Sequence, residues 1–247
     1  MDAKLYETTA KLVARLRQEG EVARVFDLGV VSDIAEAESE FATQFWMKGL
    51  FRLPFPNTIL TVTMVAKDGS RYSQIISASQ KDDEDPPLQV LIINITSNEM
   101  WAFGANPVTH IFYNLKPRPI GCSDLSSEDG SLVVYFLSWF VSSLISPSYV
   151  QTRHGPSERR VARNIAQGRD PGLVYHTITV DPTKVRAAST GSSGHSDRAS
   201  PRMHWRRGHF RHLLKRGEPT IIPIPPTIVG AAENGEVISD YLVKRKA

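Results

Sequence analysis

Leu5, Leu12, Val13 and Leu16 recur at helical spacing among Lys4, Lys11, Arg15, Arg17 and Glu19, which predicts an amphipathic helix over residues 3–19, closed by Gly20. A second helix is expected across Asp33 to Phe45, where Ile34, Ala37, Phe41 and Phe45 share a face. At Leu53 the period changes. Pro54 and Pro56 forbid a helix, and the stretches Thr58 to Val65 and Tyr72 to Ser77 are rich in β-branched residues, with Asp68-Gly69 between them. That combination predicts a β-hairpin. Further strands are expected at Leu88 to Ile95, Trp101 to Phe103 and Thr109 to Leu115. The acidic run Lys81 to Pro87 reads as an exposed loop, its other reading being a docking site for a basic partner. The most apolar run, Leu132 to Ile145, is 14 residues long and falls short of the roughly 20 needed to span a bilayer. It predicts a buried helix over about 131–145, preceded by the polar residues Ser126 to Gly130.

Together these elements predict an α+β body over residues 1–150, a mostly antiparallel sheet with helices packed on it, followed by a basic β-containing C-terminal region. Residues 151–186 read as a basic helix-strand extension. Its helix runs from Glu158 to Ala166 after Ser157, with Arg159, Arg160 and Arg163 exposed as a secondary basic surface, and its strand from Leu173 to Val180. Residues 187–200 are a Ser/Gly-rich stretch that cannot bury a core and is expected to be a flexible linker. Residues 201–247 carry an Arg/His motif and return to β character from Glu218 to Val229, where Pro219, Pro223, Pro225 and Pro226 confine the chain to an edge or to extended packing.

Composition narrows the class. At 247 residues and 41% hydrophobic, the chain can bury a substantial core and is not a disordered protein. Cys122 is the one cysteine, which excludes an intramolecular disulfide and a cysteine-based zinc site and makes a reducing, cytoplasmic setting the simplest expectation. The first residues lack the apolar core of a signal peptide, so neither export nor membrane association is expected. There is no Walker phosphate loop, Rossmann glycine pattern, His-Glu-x-x-His or Gly-x-Ser-x-Gly, so no cofactor is expected.

Charge is unevenly placed. Residues 151–216 hold 14 Lys and Arg against 4 Asp and Glu, a balance of +10, while the chain as a whole is +3 and the remainder therefore −7. The asymmetry suits a basic surface for nucleic acid carried on a more acidic body. Its focus is Arg202-Met203-His204-Trp205-Arg206-Arg207-Gly208-His209-Phe210-Arg211-His212, four arginines, three histidines and two aromatics in eleven positions. Guanidinium groups grip phosphate in a two-pronged plane, and Trp205 and Phe210 offer ring faces on which bases can stack. The nucleic-acid-binding candidates are Arg202, His204, Trp205, Arg206, Arg207, His209, Phe210 and Arg211.

Three chemistries compete for this segment. His204 and His209 could act as base and acid of a metal-independent ribonuclease, with an arginine holding the developing phosphorane charge. In an extended chain His204 and Arg206 point one way and Arg207, His209 and Arg211 the other, so Gly208 would have to bend the backbone to make them converge. Metal binding is disfavoured, because the histidines have no thiolate or nearby carboxylate and a cationic neighbourhood repels a metal ion. Binding of RNA without chemistry needs the least, and a structural role or docking on the chain's own acidic body are the plainer alternatives. No catalytic residue is assigned, and an interaction protein is the favoured reading over an enzyme.

The segment Arg202-x-His204-x-Arg206-Arg207-Gly208-His209-Phe210, followed by Pro226 and Val229-Gly230, resembles the closing motif of a family carried by phages and plasmids. Phe210 stands where that family has a tryptophan. Its described member is a type V-A anti-CRISPR protein that prevents biogenesis of the effector nuclease. Leu53-Pro54 and the apolar run from Leu132 to Ile145 are similar in order to the family's upstream elements. The resemblance implies a protein that recognises a nascent effector polypeptide and triggers destruction of the mRNA being translated. The partners so implied are a nascent chain or CRISPR effector, and RNA or the ribosome; oligomeric state is left open.

Overall fold

The computed structural model describes residues 1–31, 36–65, 68–81, 83, 86–114, 127–144, 149–180, 202–206, 208–215, 218–224, 227–229 and 231–236. The expected linker at 187–200, Cys122, Arg207 and residues 82, 84 and 85 of the acidic run lie outside them.

Asp2 opens the first helix, its carboxylate accepting a hydrogen bond from the Leu5 amide at 2.8 Å and so capping α1 (Ala3–Gln18). In chain order there follow β1 (Ala23–Val31), α2 (Glu36–Met47), β2 (Asn57–Val65), β3 (Arg71–Gln80), β4 (Leu88–Asn94), β5 (Glu99–Asn106), β6 (Ile111–Asn114) and α3 (Ser127–Leu144). Beyond them come β7 (Tyr149–His154), α4 (Glu158–Ala166), β8 (Tyr175–Val180), β9 (Arg202–Arg206), β10 (His209–Lys215), β11 (Glu218–Ile224), β12 (Thr227–Val229) and β13 (Ala231–Glu236). The fold is α+β.

Eight strands form one sheet in the order β6-β5-β4-β3-β2-β1-β8-β7. From β2 to β6 each strand pairs antiparallel with the next, as successive short turns dictate. The turn between β2 and β3 contains Asp68, whose carboxylate accepts hydrogen bonds from the amide and hydroxyl of Ser70 at 2.9 and 2.7 Å. Those bonds hold its carboxyl below the usual value. The mixed character comes from β1, which runs parallel to β2 on one side and to β8 on the other. Strands β7 and β8 close the sheet, so the compositional change near residue 150 does not coincide with an end of the sheet.

Both faces of the central strands are apolar. On one, Val25, Ile59 and Ile75 pack with Leu5 and Val13 of α1 and with Ile95 and Leu173, and burial of each such side chain contributes about 1.5–3 kcal/mol. On the other, Phe26, Leu60, Ile76 and Ile92 lie in one row across four strands and are all buried. Strand β2 is buried on both sides from Asn57 to Val62, which is why its sequence shows no alternation of apolar and polar positions.

Strand β1 is absent from the sequence-based expectation because Asp27 and Gly29 interrupt it. Both have local reasons. Asp27 is buried, and its carboxylate accepts from Thr61 Oγ1 at 3.0 Å and the Gly29 amide at 3.2 Å, with the Met1 amino group at 3.0 Å. Gly29 takes φ of +67° where the register with β2 slips between Asp27 and Val30. Helix α3 begins at Ser127 rather than at about 131, so Ser127 to Gly130, assigned to its approach, belong to the helix.

The chain divides into two compact units. One is Met1–Asp33, Gly49–Val133 and Gln151–Ile178; the other is Ile34–Lys48, Val134–Val150 and Thr179–Ala247.

Candidate nucleic-acid interface

The Arg/His motif is split between two small sheets of the second unit. Strand β9 is the centre of a three-stranded sheet, antiparallel to β12 with Val229 opposite His204 and Ile228 opposite Trp205, and parallel to β13. Its side chains, Arg202, His204, Trp205 and Arg206 included, lie outside the description, as does Arg207. The chain then leaves that sheet through Gly208 and enters a two-stranded one, where β10 pairs antiparallel with β11, His209 opposite Ile224 and Lys215 opposite Glu218. The change of sheet falls at the glycine where a bend was required for convergence.

His209, Arg211 and His212 are exposed and Phe210 is half-buried. None of the three polar side chains has a hydrogen-bond or ion-pair partner among the described residues. Phe210 was expected to be an open stacking platform. Its ring instead stacks on Phe41 of α2, with centroids 4.9 Å apart and planes 10° from parallel, and the Lys48 ammonium sits 5.2 Å from its centre.

The α2 side of this contact follows from helical spacing. Glu40, Gln44 and Lys48 recur every four residues and share a stripe, beside the buried Phe41 and Phe45, whose rings are 6.2 Å apart. Glu40, Phe41, Gln44 and Lys48 face Gly208, His209, Phe210 and His212 across a cleft of about 340 Å³. Arg211 does not line it.

The secondary basic surface stands on α4 in the first unit. Ser157 caps this helix by accepting from the Arg160 amide at 3.4 Å, and Arg159, Arg160 and Arg163 are all exposed. No residue of α4 is buried, as the density of charge along it predicts. Arg153 and Arg169 add exposed charge at either end of the segment.

Two further histidines carry structure that sequence reading did not single out. His176 is buried, packs against Phe26 with ring centroids 5.5 Å apart and planes tilted by 37°, and donates Nδ1–H to the Val25 carbonyl at 3.4 Å. Burial pushes its pKa down, the Val25 carbonyl opposes that, and the charges of Arg24, Arg153 and His154 add to the lowering. His154 shares a 2.9 Å hydrogen bond with Thr177 Oγ1 and stacks on Tyr175 at 4.9 Å. Arg24 lies over the ring of Phe55 at 4.6 Å. A lone histidine in a β-branched run gives no sign of such a role, because the partners come from β1, β7 and β8, which are distant in the chain.

Among the described residues no three of His, Cys, Asp and Glu gather to hold a metal ion, and no helix is long and apolar enough to cross a membrane. Fold and site define an α+β protein with an exposed Arg/His hairpin and an adjoining cleft. No family model, curated protein or solved structure matches the chain.

Proposed function

We propose that this chain is a cytoplasmic RNA-binding protein whose contact surface is the β10 hairpin. The observation that carries the reading is the exposure of His209, Arg211 and His212 without hydrogen-bond or ion-pair partners among the described residues, on a segment whose charge balance is +10. A group engaged in holding the fold would have a partner; these three present their donors to solvent. Binding needs only cations placed to meet successive phosphates, whereas strand cleavage needs two imidazoles and an arginine converging on one phosphorus atom. Binding is therefore the reading adopted over a ribonuclease. Arg159, Arg160 and Arg163 form a separate basic surface on the first unit.

Fluorescence anisotropy of labelled single-stranded RNA across a salt series tests this. Arg211→Ala should weaken binding to every sequence alike and lower the slope of log affinity against log salt by about 0.7, the single-strand value per phosphate contact. Unchanged affinity in a His209→Ala/Arg211→Ala/His212→Ala variant would remove the hairpin from the interface. Incubation of the same RNA with and without chelator separates binding from cleavage, since intact RNA is expected in both.

The narrower role, an anti-CRISPR-like inhibitor that recognises a nascent polypeptide and promotes loss of its mRNA, has the motif of residues 202–210 as its support. A reporter carrying a recognised leader should be silenced by the native chain and not by His204→Ala/His209→Ala. Silencing that survives the double substitution would separate the motif from that role.

A further inference from the structure

We infer that the cleft between α2 and β10 is a pocket for one unpaired nucleotide, holding its phosphate and reading its base; the inference rests on the RNA-binding role proposed above. The cleft's volume of about 340 Å³ lies within the roughly 300–1,000 Å³ of small-molecule sites. Its lining divides by chemistry. Phe41 and Phe210 form an apolar floor. Lys48, His209 and His212 bring N–H donors suited to phosphate oxygens, and Glu40 and Gln44 bring a carboxylate and an amide suited to a base edge. None of these five polar side chains has a hydrogen-bond or ion-pair partner among the described residues, although a carboxylate and an ammonium line the same space. Glu40 and Lys48 stand eight residues, about 12 Å, apart along the same stripe, beyond the three- or four-residue spacing at which helical charges pair. Left apart, they present an acceptor and a donor at separate points, as a ligand with an anionic group and an amino-bearing ring requires.

The carboxylate sets the selectivity. Guanine, adenine and cytosine each carry an exocyclic amino group that can donate to Glu40, whereas uracil offers only its ring N3–H, set between two carbonyl oxygens that the same carboxylate repels. Lys48 contributes to every nucleotide, because its partner is the phosphate. Arg211, outside the cleft, contributes to the general attraction for polyanions and not to the choice of base.

Isothermal titration of the full chain with guanosine, adenosine, cytidine and uridine 5′-monophosphates and with inorganic phosphate tests the pocket, beside anisotropy with RNA oligomers. The three amino-bearing nucleotides should bind about tenfold more tightly than uridine monophosphate, as one charge-assisted hydrogen bond provides. Glu40→Gln should bring the four to within about twofold of one another, and Lys48→Met should weaken all four by about tenfold. Both positions are exposed, so superimposable unfolding curves are expected and serve as the control. Oligomer binding without any saturable mononucleotide binding, or a base preference untouched by Glu40→Gln, overturns the pocket and leaves the RNA-binding role standing. Failure of oligomers and mononucleotides alike overturns both.

Discussion

The two compact units treat their histidines in opposite ways. In the first, His154 and His176 are engaged with Thr177, Tyr175, Phe26 and the Val25 carbonyl, contacts that link β7, β8 and β1. In the second, His209 and His212 stand exposed on a two-stranded hairpin with no partner among the described residues. Residue type alone does not separate them. What separates them is whether each nitrogen is already bonded, because a bonded imidazole in a sheet contributes to folding while an open one is available to a ligand.

The most disruptive way to break this comparison is at Gly155, between His154 and α4. Its φ is +97°, and a side chain there would run into the Leu173 carbonyl, a backbone atom that has no room to move. Gly155→Ala should cost at least about 3 kcal/mol from left-handed strain and overpacking together, read by denaturant unfolding. The loss belongs to the first unit's histidine region, so RNA affinity per folded molecule should be unchanged.

A third state of a polar group, buried and unbonded, sharpens the contrast. Ser138 of α3 is fully buried and its hydroxyl has no hydrogen-bond partner among the described residues, unlike Ser142 and Ser143 on the same helix, which each donate to the Trp139 carbonyl at 2.8 Å. Ser138→Ala should raise stability by about 1 kcal/mol, since it removes a desolvated group that returns nothing.

His176 gives the comparison a pH signature. Its folded pKa lies below the ordinary value, so as pH falls through about 6.5 the unfolded chain takes up a proton that the folded chain refuses. This contribution to stability is complete above that pH and is lost progressively as pH drops towards the lowered folded value. His176→Phe, which keeps a ring against Phe26, should flatten the fall in unfolding temperature between neutral and mildly acidic buffer. The smallest effect is expected in the second unit. Arg211→Ala should alter stability by less than about 0.5 kcal/mol, as for an exposed residue with no partner among the described residues, and should weaken RNA binding.

Much of the fold was legible because local signals agreed. The spacing of Leu5 and Val13 set the buried face of α1, Asp68-Gly69 announced the turn between β2 and β3, and the arginines of α4 marked a helix without a buried face. Strand β1 was not legible, because a strand containing an aspartate and a glycine makes sense only once Thr61 supplies a hydrogen bond and β2 slips in register. Strand β7 was hidden by Gln151, Thr152 and Arg153, whose polar side chains mask a sheet-edge position. At the candidate site, the cationic character of the motif was readable directly. The cleft was not, since Phe41 and Phe210 meet from opposite parts of the sequence and nothing in either neighbourhood signals the other.

The central claim is that β10 offers unengaged cations and imidazoles to RNA phosphates. Anisotropy titrations of single-stranded RNA at rising salt, for the native chain and for His209→Ala/Arg211→Ala/His212→Ala, test it most directly. The account predicts affinity that falls steeply with salt in the native chain, and a shallower, weaker dependence in the variant. Affinity that ignores both salt and the three substitutions would contradict it.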